Sequence, residues 1–110
     1  MTESQLLAEI RLALGRDPRA ILWRNNTGMA EQQGRPVRYG LCVGSADLVG
    51  IVAPSGRFIA LEVKTERGRV SAEQEQFLAV VNARGGFGVV VRSVEDARAA
   101  VERAAAGERA

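Results

Sequence analysis

GSADLVGIVAPSGRFIALEVK, residues 44–64, is the stretch that decides the fold. Two apolar runs, DLVGIVA and RFIALEVK, flank Pro54-Ser55-Gly56, and two such runs around a Pro/Gly turn form an antiparallel hairpin. Side chains alternate along a strand, so Phe58, Ala60, Glu62 and Lys64 share one face while Ile59, Leu61 and Val63 share the other. Folding the hairpin about Ser55 sets Asp47 opposite positions 62 to 64, within cross-strand reach. Three ionisable side chains therefore converge at one end of the hairpin.

Downstream, TERGRV at 65–70 is a loop, and SAEQEQFLAVVNARGG predicts a helix over 72–84, with Gln74, Phe77, Leu78 and Val81 on one stripe and Gly85-Gly86 as its stop. FGVVVR is apolar on both faces and is expected to join the sheet centre in parallel. A last helix is expected over 94–106, with Ser93 as N-cap. Upstream, AILWR at 20–24 predicts a strand. Residues 25–46 read as a long polar loop holding one short strand around 37–39. Leu7, Ile10 and Leu14 recur at helical spacing and predict a helix over 3–14. Glu3 falls in the middle of that stripe and Glu9 on its flank, so Glu3 is expected to face inward. The chain reads as one α/β domain, residues 1–110, whose mixed sheet contains an antiparallel hairpin flanked by helices.

Composition narrows the chemistry. At 110 residues, 46% hydrophobic and 25% charged, the chain suits a soluble globular domain with a core of its own. It has no histidine and a single cysteine, Cys42, which excludes internal disulfides, Ser-His-Asp triads, Cys-His dyads and histidine-containing zinc sites. The first residues, MTESQLLAEI, lack a basic, then apolar leader, and no 18-residue apolar run follows. A cytoplasmic protein with no membrane partner is the expectation. Fifteen basic residues against thirteen acidic leave a net charge of +2. Arginines are concentrated between residues 11 and 40, and Lys64 is the chain's only lysine.

Asp47, Glu62 and Lys64 are the groups that metal-dependent phosphodiester hydrolysis needs. Hard carboxylate oxygens bind Mg²⁺ or Mn²⁺, and a lysine places a compact charge beside the nucleophile. The same triplet also fits a structural Glu62–Lys64 ion pair with Asp47 capping a turn, and Glu3 also fits a carboxylate that complements the dipole of its helix.

GSAD at 44–47, a hairpin, then EVK at 62–64 resembles the PD-(D/E)xK nuclease signature, with Ala46 where that superfamily most often has proline. Together with TES near the N-terminus, WRNNTG at 23–28, EVKTERGRVSAEQEQFL at 62–78 and GGFGVVVRS at 85–93, the chain resembles the VRR-NUC (virus-type replication-repair nuclease) domain over almost its whole length. The resemblance implies the restriction-endonuclease-like fold and a Mg²⁺- or Mn²⁺-dependent DNA endonuclease without a nucleotide cofactor. It also implies a catalytic set of Glu3, Asp47, Glu62, Lys64 and Gln74, with metal ligation by Asp47, Glu62 and the Val63 carbonyl. Ser71 followed by Gln74 is equally a helix capping box. Arg24, Asn26, Arg38, Arg67 and Arg69 flank the site as candidate phosphate contacts, and Trp23 and Tyr39 are expected in the core rather than stacked on bases. Stand-alone members look like homodimeric Holliday junction resolvases, and a domain this small suits shape recognition of branched DNA. The competing class is a non-catalytic nucleic-acid-binding accessory protein of replication or repair.

Overall fold

Each helix begins where a hydroxyl residue satisfies its free N–H groups. The structure, a computed structural model, describes residues 1–110. Helix α1 spans Glu3–Leu14 behind Thr2. The Thr2 hydroxyl accepts from the Gln5 N–H at 3.1 Å, and the Gln5 side chain accepts from the Thr2 N–H at 2.7 Å. Strand β1 is Ala20–Arg24, β2 Gly28–Gln32, β3 Arg35–Tyr39, β4 Leu48–Val52 and β5 Arg57–Val63. Helix α2 covers Ala72–Ala83, β6 Phe87–Val91 and α3 Val94–Ala105. Ser93 caps α3 by accepting from the Asp96 N–H. Both later helices stop one residue before the expected ends, because Arg84 and Ala106 are their C-caps.

The main sheet runs β1-β4-β5-β6, antiparallel across β1/β4 and β4/β5 and parallel across β5/β6. The mixed sheet with its antiparallel hairpin flanked by helices is therefore as expected. Helices α1 and α3 cover one face, where Leu6, Ile10, Leu14, Leu48, Val52, Ile59, Leu61, Val63, Phe87, Val91 and Val101 form the main core. Helix α2 covers part of the other face through Leu78, packed on Ala46 and Ala60. No helix is long and apolar enough to cross a membrane.

Four expectations are corrected. Strand β6 is an edge strand, not a central one; α2 and α3 pack against it, so helices supply the burial that a second neighbouring strand would otherwise have given. The stretch 25–46 is not a loop with one strand: β2 and β3 pair as a separate two-stranded sheet. Their turn places Gln33 and Gly34 at φ +52° and +76°, the left-handed pair that a two-residue hairpin turn requires. Trp23 and Tyr39 are not core residues but 54% and 47% exposed. Finally, on the apolar face of α1, where Leu6 and Ala13 are expected beside Leu7, Ile10 and Leu14, it is Leu6 rather than Leu7 that is buried with Ile10 and Leu14, and Leu7 is only half-buried.

Candidate functional site

The hairpin register builds the site. Leu48 pairs with Leu61, so the next positions along, Asp47 and Glu62, face each other where β4 begins and β5 ends. Asp47 is held from two sides: its Oδ2 accepts from the Val63 N–H at 2.8 Å, and its carbonyl accepts from the Asn25 N–H at 2.8 Å. Carboxylate oxygens of Glu3, Asp47 and Glu62 all lie within 4.8 Å of one another. Glu3 gets there differently from the way helical phase suggests. It is in line with the buried stripe but one turn before it, where α1 has run past the core, so it is exposed and contributes from the rim.

Glu62 is 2% exposed. Its Oε1 accepts from Gln74 Nε2 at 2.9 Å and lies 4.0 Å from Lys64 Nζ, while its Oε2 has no partner at all. Burial, and then the neighbouring Asp47 carboxylate, push the Glu62 carboxyl up to about 8 against the opposing pull of Lys64. A buried oxygen without a donor is costly, and here it sits among two more carboxylates. A proton relieves that cost, and so does a cation. Glu3, Asp47 and Glu62 offer hard oxygen donors of the kind that Mg²⁺ and Mn²⁺ take. Lys64 and Glu62 do form an ion pair, at 4.0 Å, longer than a hydrogen bond, and it leaves Glu62 Oε2 without a partner.

Gln74 makes the capping box and also touches a carboxylate of the cluster. Its Oε1 accepts from the Ser71 N–H at 2.9 Å and its N–H donates to the Ser71 hydroxyl, closing the capping box, while Nε2 reaches Glu62. Gly44 lets the preceding loop sit on the same helix: it has φ +84°, and a Cβ there would lie 2.5 Å from the Glu73 carbonyl carbon. The Val63 N–H is engaged with Asp47, on the same residue whose carbonyl is the candidate ligand. Arg24, Asn26, Arg38, Arg67 and Arg69 are all exposed, and none makes a side-chain hydrogen bond or ion pair.

Two residues that sequence reasoning missed shape the surroundings. Asn25 donates from Nδ2 to the Ser45 hydroxyl at 2.7 Å and to the Ala46 carbonyl at 2.9 Å. Arg92 donates from one guanidinium nitrogen to the carbonyls of Thr65, Glu66 and Gly68 at 2.7, 3.3 and 2.8 Å, gathering the loop that follows Lys64. The one usable signal for Asn25 is register: Arg24 pairs with Leu48, which brings Asn25 beside Asp47, but only once β1 is known to pair with β4.

The profile of the family described as the VRR-NUC domain matches residues 4–95 of this chain. No curated protein matches it.

Proposed function

The chain belongs to the VRR-NUC domain family, which indicates a nuclease-type function in replication or repair, and from that premise we propose that it is a Mg²⁺- or Mn²⁺-dependent endonuclease acting on branched DNA such as a Holliday junction. The observation that carries the metal dependence is the buried, unpartnered Oε2 of Glu62 beside the carboxylates of Asp47 and Glu3. Asp47, Glu62 and the Val63 carbonyl would hold the cation. When bound, it would lower the pKa of a water and offset negative charge that builds on the phosphoryl oxygens during hydrolysis.

The remaining work falls to the chain's own groups. Lys64 carries a compact ammonium at the floor of the site, where it orients the attacking water and offsets charge on the scissile phosphate. Gln74 holds Glu62 by Oε1 and leaves Oε2 free. Glu3 accepts a hydrogen bond from the water at the rim. Arg67 and Arg69, in the segment that follows Lys64, and Arg24, Asn26 and Arg38 on the other side bind backbone phosphates, positioning the duplex without reading its sequence.

A homodimer is supported by Ile21, Trp23, Ile51 and Phe58, which are 57%, 54%, 42% and 39% exposed on the sheet face that α2 leaves open. That surface is apolar, unlike one that binds a polyanion. Two sites related by a two-fold axis match the symmetry of a four-way junction.

The test is cleavage of labelled four-way junction, splayed-arm and linear duplex DNA with Mn²⁺, comparing wild type, Lys64→Ala and a chelator control. The expected result is metal-dependent junction cutting that falls at least about a hundredfold in Lys64→Ala. Salt-sensitive binding without cutting on any substrate favours the accessory-protein reading instead.

A further inference from the structure

Asp47 lies just before β4, at the end of a segment with no ladder of its own, yet its place relative to Glu62 of β5 sets the gap between the two carboxylates. Asn25 ties that segment to the end of β1. Asn25, the first residue beyond β1, donates its backbone N–H to the Asp47 carbonyl at 2.8 Å. Its carboxamide donates to the Ser45 hydroxyl at 2.7 Å and to the Ala46 carbonyl at 2.9 Å. Ala46 is fully buried, so without that donor its carbonyl would be left unpaired in the interior, which favours displacement of the segment. The opposite side of Asp47 is tied to β5 through Oδ2 and the Val63 N–H. Asp47 thus hangs between two strands, with its backbone set by Asn25 and its carboxylate by Val63.

Resting on the metal-nuclease reading above, we infer that Asn25 is a positioning residue for Asp47. It acts through the Ser45-Ala46-Asp47 backbone to fix the separation of the Asp47 and Glu62 carboxylates, and so the affinity of the site for a divalent cation. It touches neither substrate nor cation. Groups that orient metal ligands in this way change metal affinity or activity about 10–100-fold when removed.

The experiment is calorimetric titration of Mn²⁺ into wild type, Asn25→Ala and Val52→Ala, with thermal unfolding of each metal-free protein. Val52 is fully buried at the far end of the same strand, so its truncation reports lost stability without disturbing the Asp47 segment. The expected result is Mn²⁺ binding about tenfold weaker in Asn25→Ala and unchanged in Val52→Ala, although both unfold at lower temperature. Wild-type affinity in Asn25→Ala, or equal weakening in Val52→Ala, overturns the positioning role and leaves the metal site standing. Absence of Mn²⁺ binding by the wild type overturns the metal-nuclease reading and this role with it. Should Asn25→Ala not fold, Asn25→Ser, which keeps the backbone bond and one hydroxyl donor, is judged by the same comparison.

Discussion

The molecule contains two antiparallel hairpins of similar local design and opposite fate. In β4–β5, Leu48, Val52, Ile59, Leu61 and Val63 are completely buried, with β1 and β6 alongside and helices above and below. In β2–β3, every residue but Gly28 is exposed and no further strand joins. A two-stranded ribbon is marginal in water, so pairing of backbones does not by itself make a rigid platform. Rigidity and low dielectric come from what covers the strands. The candidate site lies at the end of the covered hairpin, where fixed backbones hold carboxylates together despite their repulsion.

The contrast is sharpest in amide hydrogen exchange. Amides of β5 are expected to exchange only through global opening, on the order of 5–15 kcal/mol, and those of β2–β3 through local opening at the bottom of the stability range. Equal protection in the two would break the comparison and show that the ribbon has a partner in solution. Next in size, Leu61→Ala should cost about 2–5 kcal/mol in chemical denaturation, because it leaves a cavity between the sheet and helices.

The pH dependence isolates the charged end of the covered hairpin. The Glu62 carboxyl is raised to about 8 from 4.5, so between those values the metal-free folded state holds a proton that the unfolded chain has lost. Its contribution is fully present below about 4.5 and is lost as pH rises toward 8, with a slope of up to about 1.4 kcal/mol per pH unit. Melting temperature of the metal-free protein should fall over that window, and Glu62→Gln should flatten the fall. A flat wild-type profile would contradict the buried charge cluster. The smallest effect belongs to the exposed ribbon: Val37→Ala should change monomer stability by less than about 0.5 kcal/mol, and a loss above 1 kcal/mol would mean that Val37 is covered.

Legibility in the sequence follows the same division. The β4–β5 hairpin, the three helices with the Ser71 and Ser93 caps and the convergence of Asp47, Glu62 and Lys64 rest on short-range periodicity and turn chemistry, which a linear reading captures; the Thr2 cap of α1 was missed. The second hairpin was hidden because Gln33-Gly34 is a weak turn signal and its strands lack the alternation that a half-buried sheet imposes. Trp23 escaped because β1 alternates normally; only the placement of α2 over β5 and β6 leaves that face of β1 uncovered.

Residue order along the chain was enough to specify helix starts, the central hairpin, which side chains share a strand face, and the pairing of an acidic residue with Glu62, since these follow from local periodicity and from one tight turn that folds two adjacent strands together. The edge position of β6, the reach of Glu3 from the rim, the contact of Gln74 with Glu62 and the anchoring of Asp47 by Asn25 depend on how separate elements pack on one another. Such contacts arise only when the helices settle on the sheet, because burial and hydrogen-bond satisfaction are properties of the assembled layers rather than of any one strand or helix.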